Sequence, residues 1–291
     1  MHAPTSPAPL AALPRRRVPT LLKASGAVHL GAVAAVIAAP AAWPWALGAV
    51  ALNHALVTAT GLWPRSTWLG PNLLRLPHAA AARREVALTI DDGPDPEVTP
   101  QVLDLLDAAH ARATFFCIAS EVERHAALTR EIVQRGHSVQ NHSHRHVHTF
   151  SLLGPRGMRA EIERAQDVLA QVTGQRPRYF RAPAGLRNPF LDPVLSDLGL
   201  QLVSWTRRGF DTRARDPIQV LGRLTHGLAA GDILLVHDGH AARDRDGRPI
   251  VLDVLPALLH RFDAAQLRAV TLPDALAVPA PAGAAAAATP A

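Results

Sequence analysis

Cysteine is nearly absent from this chain: of its 291 residues only Cys117 is one, so an internal disulfide is excluded. Its setting, Thr114-Phe115-Phe116-Cys117-Ile118, is apolar. That favours a small buried core residue over a nucleophile, which would need a partner base. Clustered positive charge is missing too. The formal net charge is +6, but nearly all basic residues are arginines scattered along the chain. With no basic helix and no aromatic-interleaved patch, nucleic acid is excluded as a partner. Charge of either sign is missing altogether from residues 24–64.

A bilayer-spanning helix needs roughly 20 mostly apolar residues, so the uncharged run has room for two. Pro40, Trp43, Pro44 and Trp45 mark a break at its middle; proline ends helices and tryptophan favours the membrane interface. A two-helix membrane hairpin is the favoured reading. A signal peptide or anchor with Arg15, Arg16, Arg17 and Lys23 as its positive region is the second, and a soluble helical pair the third. His29, Asn53 and His54 are expected to pack within the helix pair. The protein is thus expected to be anchored in the inner or plasma membrane. Arg65, Arg75, Arg83 and Arg84 follow the run, so positive residues flank both ends and favour a cytoplasmic domain. A single span would place it outside.

Apolar residues make up 48% of the chain, enough for a sizeable core. The expected organisation is a disordered basic tail (1–23), the two-helix anchor (24–64), a linker (65–84), one α/β domain (85–275) and a disordered Ala/Pro tail (276–291). Within the domain, apolar runs at 86–90, 113–118, 137–141, 179–181, 200–205, 233–237 and 269–272 read as strands. Helical patterns at 100–110, 121–135, 155–173, 188–198, 217–229 and 249–262 lie between them. About seven such repeats fit a closed or nearly closed, irregular (β/α) barrel better than an open sheet. Asp91, Asp92, His142, Arg181 and His237 then fall at strand C-terminal ends, the face that carries active sites in parallel barrels.

Thr89-Ile90-Asp91-Asp92-Gly93-Pro94 brings two carboxylates off an apolar strand, where they repel unless a cation separates their roles. A solvated turn tip has the same composition. His142 and His146 are four apart, so one helical turn would present both to a single ion. The alternation of histidines 142, 144, 146 and 148 is also that of a generic chelating tract. Two histidines with a carboxylate make an open zinc site, and Asp92, His142 and His146 are assigned as its ligands. Cobalt or nickel suits the same donors. Asp91 is then placed as a base toward water, and His237, which titrates near neutrality, as the acid for a leaving amine.

These segments resemble, in order and type, the five motifs of the polysaccharide deacetylases (carbohydrate esterase family 4, the NodB-homology domain). Thr89–Pro94 is similar to the first motif, and His142-Ser143-His144-Arg145-His146 to the second. Arg181-Ala182-Pro183-Ala184-Gly185 resembles the third, whose Arg holds the catalytic Asp. Trp205 to Asp211 resembles the fourth, where a Trp lines the acetyl pocket and an Asp orients the acid His. Leu235-Val236-His237 resembles the fifth, with its pocket Leu and acid. The resemblance implies hydrolysis of the amide of an N-acylated sugar, with Asp91, His237, Arg181 and Asp211 catalytic and Ala184, Trp205 and Leu235 at the substrate. Ala184 stands where many members carry an aromatic residue whose backbone N–H helps hold the oxyanion, and Val147 replaces a common Pro. Arg207 and Arg208 are extra positive charges in the fourth motif. They are read as solvent-facing, with a phosphate or carboxylate on the substrate as the alternative. Rival functions are deacylation or deformylation of a lipid-linked sugar at the cytoplasmic leaflet, and a silent metal- or glycan-binding membrane protein. Neither Asp91 nor His237 is lost, which speaks against the silent reading. Oligomeric state has no signal in the sequence.

Overall fold

The computed structural model describes residues 17–277. Of the tails expected at 1–23 and 276–291, residues 1–16 and 278–291 lie outside the described residues. Residues 20–23 are already helical and Leu276 ends the last helix.

Two antiparallel helices come first, α1 (Thr20–Ala38) and α2 (Trp43–Gly61), joined by a short turn at Pro40–Ala42. Their polar residues face one another. Asn53 Nδ2 donates to Ser25 Oγ at 2.8 Å, and the His29 and His54 Nε2 atoms lie 3.2 Å apart. The apolar residues Leu30, Ile37, Leu47 and Leu52 are exposed instead. Among the described residues, α1 alone is long and apolar enough to cross a membrane by itself. The expectation of two such helices is met in shape but not in composition, because α2 carries Asn53, His54, Thr58 and Thr60.

The strands are β1 (Glu85–Asp91), β2 (Ala113–Cys117), β3 (Ser138–Asn141), β4 (Tyr179–Phe180), β5 (Gln201–Leu202), β6 (Arg207–Arg208), β7 (Ile233–His237) and β8 (Arg268–Ala269). All their pairings are parallel, in the order β5-β4-β3-β2-β1-β7-β6, with β8 added against β1. Helices α3 (His78–Ala82), α4 (Thr99–Ala108), α5 (Ala119–Arg124), α6 (Ala126–Gln134), α7 (Pro155–Thr173), α8 (Leu191–Asp197), α9 (Pro217–Thr225), α10 (Val251–Ala264) and α11 (Leu272–Leu276) complete the domain. Local chemistry sets several helix ends. Pro155 opens α7 and Gly174, at φ 72°, closes it. Asp216 caps α9 by accepting from Ile218 N.

The expected strand at 200–205 is instead the start of a longer stretch, 201–208, whose first end ladders onto β4 and whose last ladders onto β7. Parallel partners need a crossover of a dozen or more residues. Four residues cannot supply one, so β5 and β6 do not pair; they join the two edges of a curled sheet. The barrel is irregular for this reason. Residues 65–84, expected to be a linker, pack onto this seam. Leu73 bridges Val203, Arg75 bridges Asp232, and Leu69, Leu76 and Ala80 are buried.

Strand alternation sorts the core. In β1, Val86, Leu88 and Ile90 pack outward against α4 and α10 through Leu103, Leu106, Leu255 and Leu258. Ala87, Thr89 and Asp91 have the opposite parity and face the barrel interior. The same parity sends Leu234 and Val236 outward, and Leu235 and His237 inward, along β7. Cys117 is fully buried in the outer layer, and burial holds its thiol protonated by raising its pKa well above the ordinary range.

Candidate active site

Asp91 ends β1, level with Phe116 of β2 and His237 of β7. Arg181, just past β4, crosses the interior to reach it. Its Nη1 donates to Asp91 Oδ1 at 2.6 Å and to Thr89 Oγ1 at 2.8 Å. Its remaining nitrogens donate to the Val203 and Ser204 carbonyls, and the guanidinium lies 4.1 Å from the centroid of the Phe116 ring. A cation this deep (1% exposed) persists because its donors are satisfied and a carboxylate faces it. Asp91 is left with Oδ2 toward the cavity, 3.8 Å from His142 Nε2.

Asp92, His142 and His146 converge with one donor atom each, all within 4.8 Å of one another. The two histidines do not share a helical turn as the spacing implied. They sit in a loop folded by side-chain caps: Ser143 N donates to Asn141 Oδ1, and His146 N to Ser143 Oγ. Ser143 and His146 adopt φ of 65° and 50°. That backbone swings the rings to a centroid separation of 4.8 Å without a helix. Of the other two histidines, His144 turns to Glu123, and the His148 ring lies 6.3 Å from that of His146.

The donor set fits a divalent ion on two grounds. His142 Nδ1 lies 2.8 Å from the Arg181 carbonyl, which only accepts, so Nδ1 carries the proton and Nε2 keeps its lone pair. Asp92 Oδ1, 3.2 Å from that Nε2, is buried with no hydrogen-bond partner, an orphan that a cation would satisfy. Burial and the neighbouring His142 lower the His146 pKa to about 4, leaving it neutral, the form that ligates. Burial alone would raise the pKa of Asp92, but the facing imidazoles of His142 and His240 and the charge on His237 outweigh it and lower it well below the ordinary carboxylate range.

His237 carries the opposite bias. Asp211 accepts from both the His237 backbone N–H (2.7 Å) and the ring Nδ1 (2.9 Å). Burial alone would lower the imidazole pKa; the Asp211 carboxylate overrides it and raises it to about 9. His237 therefore carries its proton near neutral pH, and it lies level with Asp91 across one strand ladder.

These groups open into a cavity of about 1060 Å³ that Ala184, Trp205 and Leu235 also line. Gly185, at φ 74°, has no room for a side chain: a Cβ there would lie 2.7 Å from both Pro64 and the Trp205 ring. One wall of the cavity therefore rests on the chain leaving α2. Arg187 N donates to the Gly61 carbonyl, and Ser204 Oγ to that of Pro64.

Two expectations change. Arg207 and Arg208 do not face solvent. Arg207 binds Asp232 and the carbonyls of His226 and Gly227, while Arg208 lines the cavity half-buried. Alternation explains this, since adjacent strand residues take opposite faces. One residue was missed. His240 Nδ1 lies 3.3 Å from Asp92 Oδ2, and its ring stacks with that of His146 at 6.3 Å. Its place three residues after His237, beyond a glycine, was the available signal. His240 is exposed, whereas Asp238, between it and His237, is buried. Burial raises its pKa to about 7, against a Thr99 hydroxyl that donates to it, and its carboxylate packs where a Cβ on Gly93 would sit.

Comparison with known proteins places the chain in a family. Residues 78–203 match the polysaccharide deacetylase family. The peptidoglycan-N-acetylglucosamine deacetylase of Bacillus cereus is 31% identical over 180 residues, covering 60% of this chain and 77% of that protein. The chitooligosaccharide deacetylase of Azorhizobium caulinodans is 32% identical, covering 53% of this chain and 73% of its own length. Among solved structures, the family 4 carbohydrate esterase from Streptomyces lividans in complex with acetate superposes with a TM-score of 0.59. It is 29% identical, covering 67% of this chain and 96% of that one.

Proposed function

Because the chain belongs to the polysaccharide deacetylase family, we propose that it hydrolyses the acetamide of an N-acetylated amino sugar or glycan, of the chitooligosaccharide, peptidoglycan or exopolysaccharide type. The observation that carries this reading is the pairing of a buried, Arg-held carboxylate with a carboxylate-held imidazolium beside a three-donor cluster.

Asp92, His142 and His146 would hold the ion, with zinc preferred because two histidines and a carboxylate leave an open position. When bound, such an ion lowers the pKa of a water and polarises the acyl carbonyl. Asp91 takes the proton from the attacking water through Oδ2, while Arg181 fixes Oδ1. His237 donates its Nε2 proton to the departing amine, and Asp211 holds the ring through Nδ1 and sustains its charge. Ala184, Trp205 and Leu235 shape the site around the acetyl group, and at Ala184 a backbone N–H serves the oxyanion where others in the family have an aromatic residue.

The test of the chemistry is amine release from N-acetylchitooligosaccharides by the full chain, metal-loaded and chelator-treated. Metal-dependent release supports the reading, and a metal-loaded protein that releases nothing refutes it for these sugars. The acid can be checked separately. Asp211→Asn removes the charge that raises the His237 pKa and leaves the burial that lowers it. The alkaline limb of kcat/KM against pH is expected to move to lower pH by about 1–3 units. An unmoved limb would assign the acid to another group.

The helix pair serves as a membrane anchor in this proposal. Nineteen residues span about 28 Å, close to the roughly 30 Å of a bilayer core. Exposed tryptophans stand at both levels, Trp43 and Trp45 at the turn, Trp63 and Trp68 at the exit. A hairpin returns the chain to its starting side. Topology reporters fused before Met1 and after Ala291 are expected to report one and the same side. Opposite sides would mean a single span.

A further inference from the structure

Four arginines line the active-site cavity, and they are not equivalent. Arg124 is paired with Glu121 and Arg145 with Glu161. Arg208 and Arg213, contributed by β6 and the loop after it, have no ion pair or side-chain hydrogen bond among the described residues. The Arg208 guanidinium lies 5.1 Å from the Trp205 ring centroid and 5.0 Å from that of Phe210. Its Nε is buried without a hydrogen-bond partner. Asp91 and Asp211 lie close enough to attract it, but Arg181 and His237 already engage them.

A half-buried guanidinium with an unmade hydrogen bond is costly unless a ligand completes it. The Trp205 and Phe210 rings flank the guanidinium at the cavity wall, and its Nη groups have no hydrogen-bond partner among the described residues; such a pair can meet a carboxylate or phosphate in bidentate fashion. Arg213 is exposed at the same rim and adds a second cation.

We propose that Arg208 and Arg213 form an anion subsite of this cavity, which accepts a carboxylate or phosphate group carried by the N-acylated sugar. The sugar part of this statement rests on the deacetylase reading; the anion part rests on the two arginines.

Binding tests it independently of turnover. The full-length, metal-loaded chain in an Asp91→Asn background is titrated calorimetrically with N-acetylglucosamine, N-acetylmuramic acid and N-acetylglucosamine 1-phosphate. At least one anionic sugar is expected to bind more tightly than the neutral one, and which does so separates carboxylate from phosphate. Arg208→Gln should weaken that binding by about 10- to 100-fold, with Arg208→Lys recovering part of it. Arg213→Gln, on an exposed loop, should weaken it less and reports even if the Arg208 variant fails to fold. Equal affinity for all three sugars, or an anion preference that survives loss of both arginines, overturns the subsite. Release of amine from neutral chitooligosaccharides by the unaltered protein separately decides the deacetylase reading. An anion preference without such release would keep the subsite and remove the reaction.

Discussion

Asp91→Asn is expected to lower kcat for deacetylation by about 10²- to 10⁴-fold, the range that a positioned general base contributes, with bound metal unchanged. Asparagine keeps the shape, and its carbonyl oxygen still accepts from Arg181 Nη1. The Thr89 hydroxyl and the Val203 and Ser204 carbonyls still hold the remaining guanidinium donors. What disappears is the charge. The variant can no longer take a proton from water, and Arg181 becomes a buried cation without its counter-ion. Breaking a buried pair on one side costs roughly 3–5 kcal/mol, and the surviving hydrogen bonds place this case toward the lower end. Urea denaturation should therefore show a less stable but folded protein. Activity must be compared on the folded fraction, with metal content measured on the same sample. Near-normal turnover by folded, metal-loaded protein would remove Asp91 from the reaction.

His142→Ala should act through the metal instead. It removes one of three donors and leaves Asp92 and His146, too few to hold an ion against dialysis. Loss of an outer partner of a metal ligand typically costs 10–100-fold in affinity or activity (roughly), and loss of a ligand itself is expected to exceed this. Metal analysis after dialysis is expected to show less than wild-type stoichiometry, and activity should return in part with excess metal. The fold should suffer little, since the main interaction lost is the Nδ1 contact with the Arg181 carbonyl, worth about 1 kcal/mol. Wild-type metal content in this variant would place the ligands elsewhere. Together the two variants divide the site, one expected to keep the ion and lose the base, the other the reverse.

Much of the arrangement was legible before any coordinates. Alternation in Glu85–Asp91 assigns Ile90 to one face and Asp91 to the other, because side chains on a strand repeat every two residues. The same rule covers Leu235 and His237. The pairing of Asn53 and His54 with the first helix follows from the cost of leaving polar groups against apolar surroundings. The segment 65–84 was opaque because Pro71 and Pro77 interrupt it: Leu69 and Leu76 are buried outside any regular element, and only His78–Ala82, with the buried Ala80, is helical. The histidine tract misled because a spacing of four fits a helical turn, and nothing in residue identity announces that Ser143 and His146 will take positive φ.

The sequence by itself determined the strand and helix alternation, the place of Asp91 and His237 at strand C-terminal ends, and which side chains have the chemistry to ligate, abstract or donate. These follow from local periodicity and functional groups, both properties of neighbours in the chain. Only the tertiary structure decided that Arg181 crosses the barrel to Asp91, that residues 201–208 bend from one sheet edge to the other, and that Arg207 is neutralised by Asp232 while Arg208 is left facing the cavity. Those outcomes depend on pairings between residues far apart in sequence, and a charge is answered or left unanswered only by what the folded chain brings beside it.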